Sequence, residues 1–227
     1  NADMEKSYGN YDWRSNFFKF AVDDHIYYEF TKNAIEEIKK RYRPNDMILA
    51  FFGAGVRPVT LALEMEFPNL IVIEPGIGYG AGSWAQWRVY ESYAIRNACA
   101  GPQSVINCDP KWYEIVIPNY FDIDQFNYSQ DKEDYFIYLG RVYEGKGVQI
   151  AIEACKFAGV KLKIAGQKDP NFVIPPDVEY VGYASVSERK KLMENAKGAL
   201  LPSLYCEPFG GVQIENLLSG TATITSD

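Results

Sequence analysis

The 227 residues, 47% hydrophobic and 23% charged, describe a folded chain that can bury a sizeable core as one large domain or two small ones. A formal net charge of −7 argues against a nucleic-acid partner, which needs a basic stripe, but leaves room for a small anion held by a few placed cations. No signal-peptide pattern and no apolar run of about 18 residues is present, so a cytoplasmic location without a membrane span is expected, peripheral membrane contact staying compatible.

After a polar, aromatic opening to about Asp24, residues Phe30, Ala34, Ile35 and Ile38 fall on one helical face, which Pro44-Asn45-Asp46 ends. Apolar runs at 47–52 and 70–73 flank a helix-like stretch at 58–66. Both runs are near-continuous rather than alternating, as parallel strands buried on both faces are. One longer helix is expected over 84–98, and a short strand at 115–117 leads into Pro118-Asn119. Residues 122–134, with four Asp and one Glu, read as a linker between two domains, 1–125 and 126–227.

The second half alternates strand and helix. Strands are expected at 135–139, 160–165, 178–181, 199–201 and 221–225. Helices are expected at 148–158, at 188–196 behind the capping box Ser185-x-x-Glu188, and at 212–218 before Gly220. Such alternation implies right-handed crossovers and a doubly wound parallel sheet. The first domain opens without a strand and the last strand lacks a following helix, so both ends are expected to be cut and the chain by itself to turn over poorly. The cysteines Cys99, Cys108, Cys155 and Cys206 have no metal or redox spacing and read as small apolar residues of a reducing compartment. The 17 tyrosines suit stacking on sugars or bases, and equally an aromatic core.

Ligands of open parallel sheets sit beyond the carboxyl ends of the strands, and three such ends are unusual. Leu139-Gly140-Arg141 is followed by Glu144-Gly145-Lys146-Gly147 at a helix start. Glycines admit a ligand close to the backbone, helix N-termini offer N–H groups, and Arg141 with Lys146 adds two positive charges, together a candidate diphosphate site. A solvated turn with two surface cations is the alternative. Ala165-Gly166-Gln167 offers a close backbone. In the stretch from Glu207 through Pro208-Phe209-Gly210-Gly211 to Glu215, two carboxylates eight apart flank a glycine pair. They suit hydroxyl donors of a sugar, or are merely acidic residues favoured near a helix N-terminus.

The segments "YLGRVYEGKGVQIAIEA" and "LLPSLYCEPFGGVQIENLLSGTATITSD", in this order and at this separation, resemble the nucleotide-sugar-binding domain of family 4 glycosyltransferases. The resemblance, over roughly 135–227, implies an α/β protein with two Rossmann-like domains of the GT-B type. Residues 1–125 would be part of the acceptor side and 126–227 the donor side. It implies a hexosyltransferase-like enzyme of polysaccharide or glycoconjugate biosynthesis. A sugar would pass from a nucleotide-diphosphate sugar, a substrate rather than a cofactor, to a carbohydrate or lipid-linked acceptor, with retention of configuration and without a metal. Arg141 and Lys146 would hold the diphosphate, beside Gly140. Glu207, with the backbone of Phe209, Gly210 and Gly211, would grip the donor sugar. Glu215 would bind the ribose, and Gly166 with the 182–186 turn would border the base.

The first half resembles the family less. "VIPNYFDIDQF" is similar to its I-P-N-G-v-D hinge, with Tyr120 in place of glycine. Where the family carries a histidine after an acceptor-side strand, Glu74-Pro75-Gly76 stands here. The single histidine, His25, lies far upstream and takes no catalytic role. The segment "EPGIGYGAGS", residues 74–83, reads as a flexible loop facing the interdomain cleft, or as a merely structural loop, although Gly76-x-Gly78-x-x-Ala81 superficially fits a dinucleotide fingerprint. Two other readings stay open: a non-catalytic nucleotide-sugar-binding module, and a sugar phosphorylase or epimerase of the same architecture.

Overall fold

The computed structural model describes residues 24–51, 53–80, 83–101 and 112–226. Its described residues fall into two compact units, 24–119 with 206–209, and 120–205 with 210–226.

In the first unit, Asp24 opens helix α1 (His25–Arg41) by accepting the Tyr27 N–H at 2.8 Å. Lys39, Lys40 and Arg41 close it, where the helix dipole favours cations. Helix α2 (Arg57–Glu66) starts with a proline in its first turn. Ala34, Ile35 and Ile38 pack against the buried Val59, Leu63, Leu70 and Val72. Strands β1 (Met47–Leu49), β2 (Ile71–Ile77), β3 (Trp87–Tyr90) and β4 (Glu114–Val116) form one parallel sheet in that order.

The helix expected over 84–98 is a strand followed by a helix: Trp87–Tyr90 is β3, and only α3 (Tyr93–Ala100) is helical. Trp87, Val89 and Tyr90 suit a pleated surface, and β2 and β4 supply hydrogen bonds on both sides. Ser92 then caps α3 by accepting from the Ile95 N–H at 3.2 Å.

Glu74-Pro75-Gly76 lies inside β2 rather than in the expected loop after it. Pro75 cannot donate to a ladder, and the register shifts between Glu74 and Ile77 to accommodate it, with Gly76 at φ 61°. Residues 78–86 then join two parallel neighbours, a short crossover for such a pair. Glu74, fully buried, ties that connection back by accepting from the Tyr79 hydroxyl and from the N–H groups of Trp84 and Ala85 at 3.0 and 3.2 Å. Burial and the facing carboxylate raise the Tyr79 phenol well above its ordinary range, keeping it a donor. A fingerprint glycine would follow the strand, not sit in its bulge, so the dinucleotide reading fails; Ala81 and Gly82 lie outside the described residues.

The second unit is a five-stranded parallel sheet. Its strands are β5 (Phe136–Leu139), β6 (Leu162–Ala165), β7 (Glu179–Gly182), β8 (Gly198–Leu201) and β9 (Thr223–Thr225), in the order β7-β6-β5-β8-β9. Alternate residues of β5 serve opposite faces. Tyr138 joins the core under α4 (Val148–Ala158), while Ile137 and Leu139 join Met193 of α5 (Val186–Asn195) and Val212 of α6 (Gly211–Leu218). The strand order reverses between β5 and β8, where doubly wound sheets open a ligand crevice.

Residues 122–134 are not a free linker, because the second unit holds them. Phe126 packs on the core, and Glu133 N–H donates to the Asn195 carbonyl at 2.7 Å. Lys132 Nζ donates to the carbonyls of Glu194 at 2.8 Å and Ser219 at 3.5 Å, and to the Thr221 hydroxyl at 3.0 Å. One cation thus satisfies carbonyls at the ends of two helices, and its partial burial lowers the Lys132 pKa. Lys132→Met keeps the stem but strands these acceptors, and is expected to cost about 1–3 kcal/mol. Urea denaturation checks it.

Candidate functional site

The carboxyl ends of β5 and β6 are built on two glycines. Gly140 has φ 146° and Gly166 φ 145°, and a Cβ on Gly166 would lie 1.8 Å from the Gly140 carbonyl oxygen. Only bare backbone fits there. The loops beyond are laced together: Val142 N–H donates to the Gln167 carbonyl at 2.8 Å, and Asp169 N–H to the Val142 carbonyl at 2.9 Å. The Tyr138 hydroxyl holds the Arg141 carbonyl and the Tyr180 hydroxyl holds the Gly166 carbonyl, each at 2.9 Å. Burial raises the Tyr180 phenol.

A cleft of about 210 Å³ opens beside these loops. Gly140, Arg141, Gly166, Gln167, Tyr183, Arg189, Val212 and Glu215 line it. Glu215 is mostly buried there, and Arg189 Nη2 donates to both of its carboxylate oxygens at 2.7 Å.

The helices that follow β5, β7 and β8 start differently. Helix α5 closes its own N-terminus with the Ser185–Glu188 capping box. Helices α4 and α6, which follow β5 and β8, begin on Gly147 and Gly210 in the left-handed conformation, with no side chain capping either. N–H groups left uncapped at a helix start are a ready anion cradle.

Four residues picked from the sequence, Gly140, Arg141, Gly166 and Glu215, therefore share one cleft. Lys146 does not line it; it ends the short 3-10 turn before α4, with Nζ 4.8 Å from the centroid of the Tyr205 ring. Arg141 leans over the Tyr143 ring at 5.6 Å. Gly210 and Gly211 begin α6, and the Phe121 ring would lie 3.4 Å from a Cβ on Gly211. Glu207 and Phe209 belong to the segment 206–209, which groups with the first unit, where the Ser92 hydroxyl donates to the Pro208 carbonyl. His25 is exposed at the first residue of α1. Cys99 and Cys155 are buried with thiol pKa values raised by burial, Cys206 is exposed, and Cys108 lies outside the described residues. Among the described residues no three His, Cys, Asp or Glu side chains gather to hold a metal ion, and no helix is long and apolar enough to cross a membrane.

Sequence reasoning passes over Arg189, and reaches Tyr183 only as part of the 182–186 turn. The one local signal for Arg189 is its place four residues after the capping Ser185, which sets it in the first turn of a helix at the ligand edge.

Residues 120–227 match the family model described as glycosyl transferases group 1. Through that segment, just under half of its length, the chain is similar to this family. The solved structures similar to it share its fold. AviGT4, a glycosyltransferase involved in avilamycin A biosynthesis, is 22% identical with a TM-score of 0.59, over 85% of this chain and 59% of that one. Anabaena Alr3699/HepE in complex with UDP-glucose is 17% identical with a TM-score of 0.65, over 88% of this chain and 62% of that one. The catalytic domain of starch synthase IV from Arabidopsis thaliana, bound to ADP and acarbose, is 13% identical with a TM-score of 0.65, over 94% of this chain and 63% of that one. The chain is thus an α/β protein of two Rossmann-like halves of the GT-B type. It spans about three-fifths of the length of those proteins. No curated protein sequence matches it.

Proposed function

We propose that this protein transfers a sugar from a nucleotide-diphosphate sugar to an acceptor hydroxyl, with retention of configuration and without a metal, and that the cleft of the second unit binds the nucleotide. The observation that carries the reading is the pairing of that cleft with two uncapped helix starts. Arg141 and Glu215 line a space bounded by the bare backbone of Gly140 and Gly166, and α4 and α6 begin without a side-chain cap. A nucleoside diphosphate presents the complementary groups, an anion for N–H donors and cations, and ribose hydroxyls for a carboxylate. Among the similar proteins, one is a complex with UDP-glucose and another with ADP, which supports a donor of this class.

In this reading Arg141 and Lys146 carry the charge that grows on the departing diphosphate, so the reaction needs no divalent ion at that point. Glu215 accepts from the ribose, and Gly166 borders the base. The grip of Glu207 on the sugar, with the backbone of Phe209, Gly210 and Gly211, rests on the motif. The family resemblance supports retention, which NMR of the product anomer tests.

Thermal melting with UDP-glucose, ADP-glucose and GDP-mannose tests donor binding. A ligand at about 100 times its dissociation constant stabilises by roughly 2.7 kcal/mol, so the right donor is expected to raise Tm by several degrees. Melting unchanged by all three, and by UDP, ADP and GDP, would count against the cleft as a nucleotide site.

A further inference from the structure

Arg189 has no role among the donor contacts proposed for Arg141, Lys146, Glu207 and Glu215. Its side chain lines the same cleft as Glu215, from a helix 26 residues away in sequence. Nη2 alone straddles the carboxylate, 2.7 Å from each oxygen, rather than two nitrogens meeting two oxygens as a fork. Nε and Nη1 make no hydrogen bond among the described residues, so three guanidinium N–H groups stay uncommitted. The arginine side chain is 38% exposed against 17% for Glu215, so it is the more accessible partner of the pair.

This geometry leaves both partners with capacity. Two carboxylate oxygens offer about four lone-pair sites, of which Nη2 takes two. The charge of Arg189 also cancels that of Glu215, which would otherwise repel a diphosphate in the same small cleft. A ribose presents two neighbouring hydroxyls, each able to donate and to accept. A carboxylate alone serves only their donor side; an arginine fixed beside it serves their acceptor side.

We propose that Arg189 and Glu215 act as one recognition pair for the ribose cis-diol, with Arg189 donating to a hydroxyl oxygen while Glu215 accepts from the diol. Arg189 is thereby a specificity determinant that favours ribonucleotides over 2′-deoxyribonucleotides. The inference rests on the nucleotide-sugar reading.

Isothermal titration calorimetry with UDP, ADP and GDP, and with the 2′-deoxy counterpart of each, tests it. The quantity read is the ratio of ribo to deoxy affinity, because lost charge or a looser fold weakens both alike. The wild type is expected to favour its ribonucleotide about tenfold, and Arg189→Ala to shrink that ratio below about threefold. Arg189→Gln, which keeps amide donors without the charge, is expected to retain part of the ratio, and it replaces the alanine variant if circular dichroism shows that one unfolded. A ratio unchanged in the variant, or a wild type that does not discriminate, overturns the role of Arg189 and leaves the nucleotide site standing. Failure of the wild type to bind any of the six removes the nucleotide reading and this inference with it.

Discussion

Replacing Arg141 by alanine is expected to lower kcat by about 100-fold while weakening donor binding far less, and Lys146→Ala to act in the same sense. As the glycosidic bond breaks, negative charge grows on the diphosphate, and a fixed cation gains most where charge develops. Arg141 lines the cleft with its backbone fixed, the carbonyl being held by the Tyr138 hydroxyl at 2.9 Å, and its guanidinium rests over the Tyr143 ring. Lys146 stands one turn on, at the start of α4, with its ammonium over the Tyr205 ring. Glu215→Ala is expected to raise KM about tenfold with a smaller change in kcat, since a ribose contact serves ground and transition states alike. Steady-state kinetics of the whole protein with its donor separates the cases. Loss of less than about threefold in kcat for both cations would show that the diphosphate lies elsewhere.

Gly166→Ala is expected to destabilise the second unit by about 3 kcal/mol or more and to abolish nucleotide binding. Two separate causes add. The backbone stands at φ 145°, which side-chain-bearing residues rarely adopt, and the new Cβ would sit 1.8 Å from the Gly140 carbonyl oxygen. That oxygen is backbone, so relief requires moving the end of β5 and with it Arg141. Gly159 supplies the control, since it stands at φ 66° with nothing within 4 Å of a Cβ. Gly159→Ala therefore carries conformational strain without overlap, and about 1 kcal/mol is expected. Chemical denaturation of the two variants measures the difference, and equal losses would mean that the close approach of the two glycine loops adds nothing.

Most of the second unit is legible in the chain. The apolar blocks of β5 and β6, the helix at 148–158 and the Ser185–Glu188 capping box are local patterns, each complete within about a dozen residues. The glycines that end β5 and β6 are legible for a similar reason: a Gly-Arg or Gly-Gln after an apolar strand marks where backbone must approach something closely. In the first unit the same logic fails at 84–98. Trp87–Tyr90 is compatible with helix or strand, and what decides is the pair of flanking strands, β2 from 71 and β4 from 114. Pro75 likewise argues for a loop until a bulge in β2 is there to absorb it.

For the site, sequence by itself determines which residues carry chemistry: the cations Arg141 and Lys146, the close-packed glycines and the carboxylate Glu215. Side-chain charge and the lack of a Cβ are properties of a residue, not of its neighbours. Tertiary structure alone decides their company. The strand order β7-β6-β5-β8-β9 brings α5 and α6 to one face, so that Arg189 and Glu215 meet across 26 residues and share a cleft with Gly140 and Gly166. The same folding leaves Lys146 outside that lining and groups Glu207 with the first unit, outcomes that follow from long-range packing and that no local spacing encodes.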